Sequence, residues 1–230
     1  NGIDQQLPGA LTKTGALTTP RMGNFTGNQR RDIDSIRLQN RTSFDWGATR
    51  LDIGLFLNAK ELFHPIFQVI DQKSTDTGIF ARLDHEAGPV QFTLGGEIRR
   101  GNTSAKQFVN NGGKRGALTF DADLDARTAN VYAEARVMPA EGLTLVAGAI
   151  YADGYRKRNV LFSTSPTQNG STSFGRFSPK IGLLYEPSPD VQFFANYSGS
   201  AEMPGFGELF QNVAGTSRFI AAIRPQKART

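Results

Sequence analysis

A strict alternation of apolar and polar side chains, repeated in eight separate segments, constrains the fold of this chain most. In one segment Phe92 and Leu94 lie on one side of the chain while Thr93 lies on the other. Successive side chains of a β-strand point to opposite faces, so each segment predicts a strand with one apolar and one polar face. Helical spacing fits none of the eight as well. The apolar series run over residues 36–44, 51–57, 79–83, 90–98, 129–137, 143–151, 177–185 and 191–197.

The connections between these segments alternate in length. Short turns rich in Gly, Pro and Asp join the strands within each pair, with the sequences DWGAT, HEAGP, MPAEG and EPSPD. The longer stretches at residues 59–74, 100–125, 153–173 and 200–217 are predicted as loops. Compact soluble domains rarely contain several loops of this length, whereas an outer-membrane barrel has short turns at one end and long loops at the other. The pattern predicts an all-β antiparallel up-and-down meander from a transmembrane β-barrel, with strands of about nine to twelve residues.

A soluble sandwich or lipocalin-like barrel would give the same alternation, because the pattern does not say which face points inward. Three details favour the membrane barrel over a soluble β-domain. The first is the short and long rhythm of the connections, and the second is the presence of both signs of charge on the polar faces. The third is the position of aromatic residues such as Trp46 and Tyr185 near strand ends, where interfacial girdles form.

Composition excludes several other classes of protein. The sequence has 230 residues and no Cys, which removes disulfide scaffolds, thiolate metal sites and Cys nucleophiles. No run approaches the ~18 consecutive apolar residues of a membrane helix, and the opening NGIDQQLPGA lacks a signal-peptide pattern, so a mature chain or a fragment is expected. The net charge of +5 permits an anionic partner, but the basic residues are scattered and no nucleic-acid-binding module is recognisable.

Two stretches carry a resemblance to a known family. The segment SPKIGLLYEPSPDVQFFANYSGSAEMPGFGEL, Ser178 to Leu209, ends in a Pro-x-Phe-x-Glu-Leu-like motif, and IRPQKA follows at Ile223 to Ala228. Together with Gly27 to Gln72, these stretches resemble the barrel of TonB-dependent outer-membrane receptors, in the branch that handles ferric chelates. In that motif the matching positions are Pro204, Phe206, Glu208 and Leu209.

The resemblance implies that residues 1–230 are the middle part of a receptor barrel. Residues 1–32 are then loop-like, about eight strands lie within 33–200, residues 201–217 form a loop, and residues 218–230 start the next strand. The family's TonB-contacting segment, plug domain and aromatic-terminated last strand are not complete here. The resemblance implies a location in the bacterial outer membrane and import of a ferric siderophore or similar chelate. It also implies contact with outer-membrane lipid and lipopolysaccharide, and contact with TonB only through segments absent here. It implies neither a cofactor nor an enzymatic activity.

Basic residues where the predicted strands meet the long loops are the candidate ligand-binding residues. Their guanidinium and ammonium groups could hold an anionic chelate, or a lipopolysaccharide phosphate, through charge-assisted hydrogen bonds. Ordinary loop charge is the alternative interpretation. The candidates, expected on outward loops, are Arg99, Arg100, Tyr155, Arg156, Lys157 and Arg158.

Other local patterns do not predict a metal or catalytic site. The acidic stretch DADLD at residues 121–125 lacks the glycine and the final Glu of a calcium loop. His64 and His85 have no partner at helical spacing, and GGKRG at residues 112–116 lacks the full phosphate-loop pattern. No nucleophile elbow appears. A soluble β-rich binding module and a passive porin-type barrel remain the alternative functions.

Overall fold

The computed structural model describes residues 2–25 and 27–230, and this part of the chain is almost entirely β-structure. Eight long strands dominate it: β2 (Arg30–Trp46), β3 (Thr49–Pro65), β4 (Gln68–Ala87), β5 (Val90–Asn111), β6 (Lys114–Ala140), β7 (Leu143–Ser163), β8 (Gly170–Ser188) and β9 (Val191–Glu202). Shorter elements complete it: β1 (Gly2–Gln6), α1 (Lys13–Thr18), α2 (Phe206–Leu209), β10 (Phe210–Val213), β11 (Thr216–Phe219) and β12 (Gln226–Arg229).

Ten of the strands form one antiparallel sheet. Strands β1 to β9 follow one another across it in sequence order, and β12 adds to the far side of β9. Strands β10 and β11 form a separate two-stranded hairpin. The predicted all-β antiparallel meander is confirmed, and the sheet does not close on itself within the described residues.

Tight turns join the strands at one end of the sheet, which we call the turn end. Gly47, Gly88 and Gly142 lie in these turns with φ of +59°, +59° and +69°, a region that glycine enters without a steric penalty. Gly142 also has no room for a side chain, because a Cβ there would overlap the carbonyl oxygen of Glu186. The short turns predicted from Gly, Pro and Asp are therefore confirmed at this end.

The opposite end, which we call the extended end, differs from the prediction of loops. Residues 59–74 and 100–125 are strand almost throughout, with tight turns at 66–67 and 112–113. Within 153–173, only residues 164–169 lie outside β7 and β8. The two ends of the sheet do differ in the length of their connections, but the extended end consists mainly of long hairpins and not of loops. Strand β6 alone has 27 residues.

The two faces of the sheet differ sharply over the half nearer the turn end. One face, which we call the apolar face, presents large side chains that are 39% to 65% exposed: Ile36, Leu38, Ile53, Leu55, Ile79, Leu94, Ile98, Tyr151, Phe177, Ile181 and Phe193. The opposite, polar face contains Asp52, which is only 2% exposed. Arg41 and Ser43 both donate hydrogen bonds to the Asp52 carboxylate.

The few buried apolar residues lie toward the extended end, beyond the exposed part of the apolar face. In the described chain they are Val69, Ala105, Ala122, Phe174 and Leu209. Burial of apolar surface is the main favourable term in folding, so the exposed apolar face requires an apolar environment outside the chain. No helix among the described residues is long and apolar enough to cross a membrane.

The two chain ends depart from the domain boundaries expected above. The first 32 residues, expected to be loop-like, include β1, which pairs with β2, and the short helix α1. The next strand was expected to start near residue 218, but residues 216–219 pair with β10 instead. Pairing with β9 begins only at Gln226, opposite Glu202.

Candidate functional site

The predicted ligand-binding residues lie in strands, not on outward loops, and the strand pleat divides them between the two faces. Strand β5 puts Arg99 on the polar face and the adjacent Arg100 on the apolar side of the sheet, where Arg100 pairs with Arg127 of β6. The split follows from the alternation of side chains along a strand. On β7, Arg156 and Arg158 share the polar face with Arg99, whereas Tyr155 and Lys157 share the side of Arg100. The structure therefore does not bring the six candidates together.

A chain segment that follows β9 crosses the polar face at the extended end. We call residues 203–219 the covering segment. Phe219 lies against Gly170 of β8, where a Cβ would overlap its ring. Met203 lies over Gly154 of β7, with its Cγ 3.4 Å from the position of a Cβ there. The polar face is thus enclosed at this end, while the apolar face remains open.

The residues of the Pro-x-Phe-x-Glu-Leu-like motif build the start of the covering segment. The Gly205 N–H donates a 2.7 Å hydrogen bond to the Glu208 carboxylate, which closes the first turn of α2. Leu209 is completely buried, and the Phe206 ring stacks on Phe210 with centroids 6.4 Å apart. The motif therefore shapes the turn that brings the chain back over the sheet.

Arg158 anchors the covering segment to the sheet. Its Nη1 donates to the Ser217 hydroxyl at 3.0 Å and its Nε to the Gln168 carbonyl at 3.2 Å. Its guanidinium carbon lies 3.7 Å from the centre of the Phe210 ring, within the range of a cation–π contact. The residue is 7% exposed. Its donors are occupied by the protein, so Arg158 is a structural anchor and not a free ligand-binding group.

Burial also affects the charge of this anchor, which lies in the hairpin extension beyond the exposed apolar band. Burial lowers the pKa of Arg158 to about 10, because a charged group loses hydration in a low-dielectric site. A group with this pKa is still protonated at neutral pH. The cation therefore persists and keeps its contacts with Phe210 and with the two carbonyl groups of Gln168 and Ser217.

A recess of about 530 Å³ lies between the covering segment and the sheet. Its walls combine neutral amide and hydroxyl groups with aromatic rings. The residues that matter for its chemistry are Gln72, Gln107, Thr119, Asn212, Phe206 and Phe210. Such walls can hydrogen-bond to a polar ligand and also contact its apolar parts.

A second recess, of about 590 Å³, lies on the polar face closer to the middle of the sheet. Phe56 and Phe80 line it, and the Arg99 guanidinium lies 5.2 Å from the centre of the Phe56 ring. Arg37 lines the same recess, and the buried Oδ1 of Asn58 has no hydrogen-bond partner in the described structure. Asp76 and Glu97 line the recess as well, so it presents two cations and two carboxylates beside the aromatic rings. Its exposed cations can pair with an anionic ligand that has a planar part.

The remaining candidate residue on the polar face, Arg156, contributes mainly to the sheet itself. Its Nη1 donates to the carbonyl groups of Arg127 and Tyr155 at 2.9 Å each. Of the predicted residues on the polar face, Arg99 is thus the one whose cation lines a recess without donating to the backbone. The sequence reasoning missed the recess residues Gln72 and Asn212, because no periodicity or motif marks them.

The acidic residues of DADLD, at positions 121–125, lie in strand β6 and do not form a loop. Asp121, Asp123 and Asp125 alternate along the same side of the strand as Arg100. Asp121 pairs with the Lys106 ammonium at 3.2 Å. Within residues 2–25 and 27–230, no group of three His, Cys, Asp or Glu side chains is placed to hold a metal ion.

Comparison with known proteins gives one family and a set of related structures. The family model described as TonB dependent receptor-like, beta-barrel matches residues 4–230. The unliganded ferric citrate transporter FecA is similar with a TM-score of 0.77 and 14% identity, over 98% of this chain and 35% of its own. The ferric-catecholate import receptor Fiu from E. coli K12, in its closed form, is similar with a TM-score of 0.70 and 16% identity, over 96% of this chain and 41% of its own.

The siderophore receptor PiuA from Acinetobacter baumannii is similar with a TM-score of 0.65 and 12% identity, over 88% of this chain and 37% of its own. No curated protein matches the sequence. Identities this low show a common fold and nothing finer. The chain spans 35% to 41% of the length of these three structures.

Proposed function

The chain belongs to the TonB-dependent receptor family as part of its β-barrel, and on that premise we propose that it serves a receptor that binds and imports an iron chelate. A ferric siderophore is an example of such a chelate. Proteins of this family reside in the outer membrane of Gram-negative bacteria, and we place this chain there. Contact with TonB would use parts of the receptor outside these residues.

One observation carries the proposal: the sheet has one exposed apolar face and one polar face, as a membrane barrel requires. Its apolar face stays exposed over the half near the turn end, while the polar face is covered at the extended end by residues 203–219. A soluble β-rich module would bury its apolar face instead. The exposure of Leu55, Ile79 and Ile98, at 53% to 56%, therefore supports lipid as the neighbour of that face.

The recesses on the polar face supply the ligand chemistry. Arg99 beside Phe56 offers a cation and an aromatic surface to a negatively charged chelate. The outer recess, with Gln72 and Asn212 in its walls, offers neutral hydrogen-bonding groups nearer the extended end. We propose that an anionic chelate passes from the outer recess to the inner one. Two of the similar structures are those of a ferric citrate transporter and of a ferric-catecholate import receptor.

A passive porin is the remaining alternative for a polar-lined barrel. The family model that matches the chain describes TonB-dependent receptors. The covering segment supports the same choice, because Arg158 and the rings of Phe206 and Phe210 fill space over the polar face where an open channel would be water-filled.

Radiolabelled iron uptake tests the proposal in cells that lack their own chelate receptors and express the complete receptor. The probes are ferric citrate and a ferric tris-catecholate. We expect saturable uptake of at least one probe, stopped by a protonophore because the family is energised from the inner membrane. Uptake that rises linearly with probe concentration and is unaffected by the protonophore would support a porin. Absence of uptake of both probes by the folded receptor would contradict import of these chelates.

A charge variant connects the uptake to the inner recess. Arg99→Gln removes one cation that faces the polar side, and we expect the affinity for the transported probe to fall about fivefold. Thr75→Glu is the matched control, since it changes the net charge by the same amount on the opposite side of the sheet, where Thr75 is exposed. Equal effects of both variants would show that net charge, not the recess, determines binding.

A further inference from the structure

A thioether packs against the sheet at the point where the covering segment begins. Met203 follows Glu202, the last residue of β9, and lies on the polar face over Gly154 of β7. A Cβ at position 154 would be 3.4 Å from the Met203 Cγ and 3.6 Å from its Sδ, which is van der Waals contact. The glycine therefore leaves the space that the thioether fills.

The immediate surroundings of this thioether are apolar. Phe174 of β8 is opposite Gly154 in the register, is 5% exposed, and has its Cδ2 3.7 Å from the same Cβ position. The Met203 sulfur and the Phe174 ring thus both lie against Gly154, which suits a polarisable sulfur. Pro204, the next residue of the covering segment, is buried. Neither Gly154 nor Phe174 has a side-chain hydrogen-bond donor, so neither side chain can bind a polar atom added to the sulfur.

The sequence has three methionines, and they differ in what an added oxygen would do. Met22 in the connection between β1 and β2 is 62% exposed, and Met138 near the end of β6 is 41% exposed, so water can solvate their sulfoxides. Met203 is only partly exposed. A small oxidant can reach its sulfur, while the side chain remains part of the contact with the sheet. Oxidation is therefore expected to disturb packing at Met203 and not at the other two.

We propose that Met203 is an oxidation site, and that its sulfoxide releases the start of the covering segment from the sheet. The oxidant is hydrogen peroxide: one peroxide oxygen is transferred to the sulfur, which loses two electrons, and the other leaves as water. The sulfoxide is polar and disrupts the apolar contact with Gly154 and Phe174. The recess that the covering segment bounds then widens. The inference rests on the packing of residues 203–219 and not on chelate import.

Hydrogen exchange in the complete receptor, before and after treatment with hydrogen peroxide, tests the proposal. Mass spectrometry of the peptide that contains Met203 measures its conversion to the sulfoxide. In the oxidised receptor we expect exchange to quicken about tenfold at the amides of Gly205 and Leu209. These amides donate to the Glu208 carboxylate and to the Gly205 carbonyl. The amides of β5 should keep their protection, because the sheet itself is unchanged.

Three variants separate oxidation of Met203 from other effects of peroxide. Met203→Leu conserves the volume of the side chain but cannot be oxidised, so peroxide should leave exchange at Gly205 and Leu209 unchanged. Met22→Leu is the matched control and should respond to peroxide as the unchanged receptor does. Met203→Gln places a polar amide at the same position and should show the faster exchange without peroxide. Both classes of methionine sulfoxide reductase together should restore slow exchange to the oxidised receptor.

Three results would overturn the proposal. The first is a Met203 that stays unoxidised while Met22 is fully converted, because its sulfur is then out of reach of the oxidant. The second is full conversion of Met203 with no change in exchange at Gly205 and Leu209. The third is an equal response to peroxide in Met203→Leu and in the unchanged receptor. Uptake of iron chelates is measured separately, so a receptor that imports no chelate but loosens on oxidation would contradict only the proposed function.

Discussion

Arg158 shows how a single residue can be chemically conspicuous in a sequence and yet have a purely structural task. Its position in YRKRN at the border of a predicted loop indicated an exposed cation for an anionic ligand. The structure instead buries its side chain under residues 203–219 and fills its donors with Gln168 and Ser217. A buried cation is retained when its hydrogen bonds and an aromatic ring replace the lost water.

Removing this anchor should loosen the covering segment locally. In Arg158→Ala the carbonyl groups of Gln168 and Ser217 lose charged donors and Phe210 loses its cation, a cost of roughly 2 to 4 kcal/mol. Hydrogen exchange should then quicken at the amides of Gln168 and Ser217, which donate to Ser217 and Pro166.

The variant Arg156→Ala serves as the control, because its side chain contacts β6 and not the covering segment. We expect exchange at the amides of Gln168 and Ser217 to stay unchanged in that protein. If Arg158→Ala leaves these amides equally protected, the covering segment is held by its other contacts and the anchor role is wrong.

Gly170 supports the same segment by leaving space for a ring. A Cβ at this position would overlap Phe219, whose ring also contacts that of Phe210 in a tilted arrangement with centroids 5.2 Å apart. We expect Gly170→Ala to push Phe219 away and to destabilise the segment by about 1 to 3 kcal/mol. Gly207→Ala is the comparison, since a Cβ there has no atom within 4 Å. Limited proteolysis within residues 210–217 measures the effect, and equal cleavage of the two variants would contradict it.

At the level of elements, the alternating pattern predicted strands wherever the two faces of the sheet meet different environments. Strand β5 illustrates both the success and its limit. From Val90 to Ile98 one face is apolar and the other polar, so the period of two is visible in the sequence. From Arg99 to Ser104 both faces are polar, and the apolar residues Ala105, Phe108 and Val109 that follow do not alternate, yet the strand continues to Asn111. The pattern disappears where neither face is consistently apolar, and the predicted loops at 100–125 were wrong for that reason.

The candidate site was only partly predictable for a related reason. A sequence shows that Arg99 and Arg100 are adjacent, and the pleat places them on opposite faces once the strand is known to continue through them. The residues of the recess, such as Gln72 and Asn212, come together only when residues 203–219 fold over the sheet. That fold depends on long-range contacts of Arg158 and Phe219, which leave no local signal.

Fluorescence quenching by lipid tests the assignment of the faces within one element. Thr93 donates a 2.6 Å hydrogen bond to Asp84 on the polar face, whereas the adjacent Leu94 is 52% exposed on the apolar face. The sequence has no Cys, so Thr93→Cys and Leu94→Cys can each carry one fluorophore in this part of the receptor. In bilayers with a quencher on the acyl chains, we expect strong quenching at position 94 and weak quenching at 93. Equal quenching at both positions would contradict the membrane arrangement.

At the scale of the whole molecule, the exposed apolar band shifts along the strands as the sheet is crossed. On β3 its outermost member is Leu55, and the register links Leu55 through Ile79, Ile98 and Ala129 to Asp153 of β7. On β7 the band ends earlier, at Tyr151. A membrane holds the apolar band at one height. Because the hydrogen-bonded partners shift along the strands relative to that band, the strands must be tilted, as in a barrel with shear. The pairing and the pattern of apolar residues therefore agree on the same geometry.

The ten-stranded sheet has two outer strands, β1 and β12, with no partner on their far sides within the described chain. Unpaired strand edges are templates for pairing with another chain. Directly after β12, Thr230 exchanges both backbone hydrogen bonds with Ser198 of β9. Because antiparallel pairs alternate, Ala228 also points its N–H toward β9, while the N–H of Lys227 points away from the sheet.

The isolated 230-residue polypeptide should therefore associate through its edges, and proline substitutions can show which edge is used. In a detergent that covers the apolar face, we expect sedimentation to reveal dimers or larger species of the unchanged chain. Lys227→Pro removes a donor from the free side of β12 without breaking the ladder to β9, so association should fall while the strand stays paired. Ala228→Pro is the contrast, because it removes the N–H that faces Ser200 and should detach β12, exposing the edge of β9 instead. Association should then persist. A chain that sediments as a monomer in all three forms, with cooperative unfolding, would show that the sheet edges are protected and that the open-sheet description of this chain is wrong.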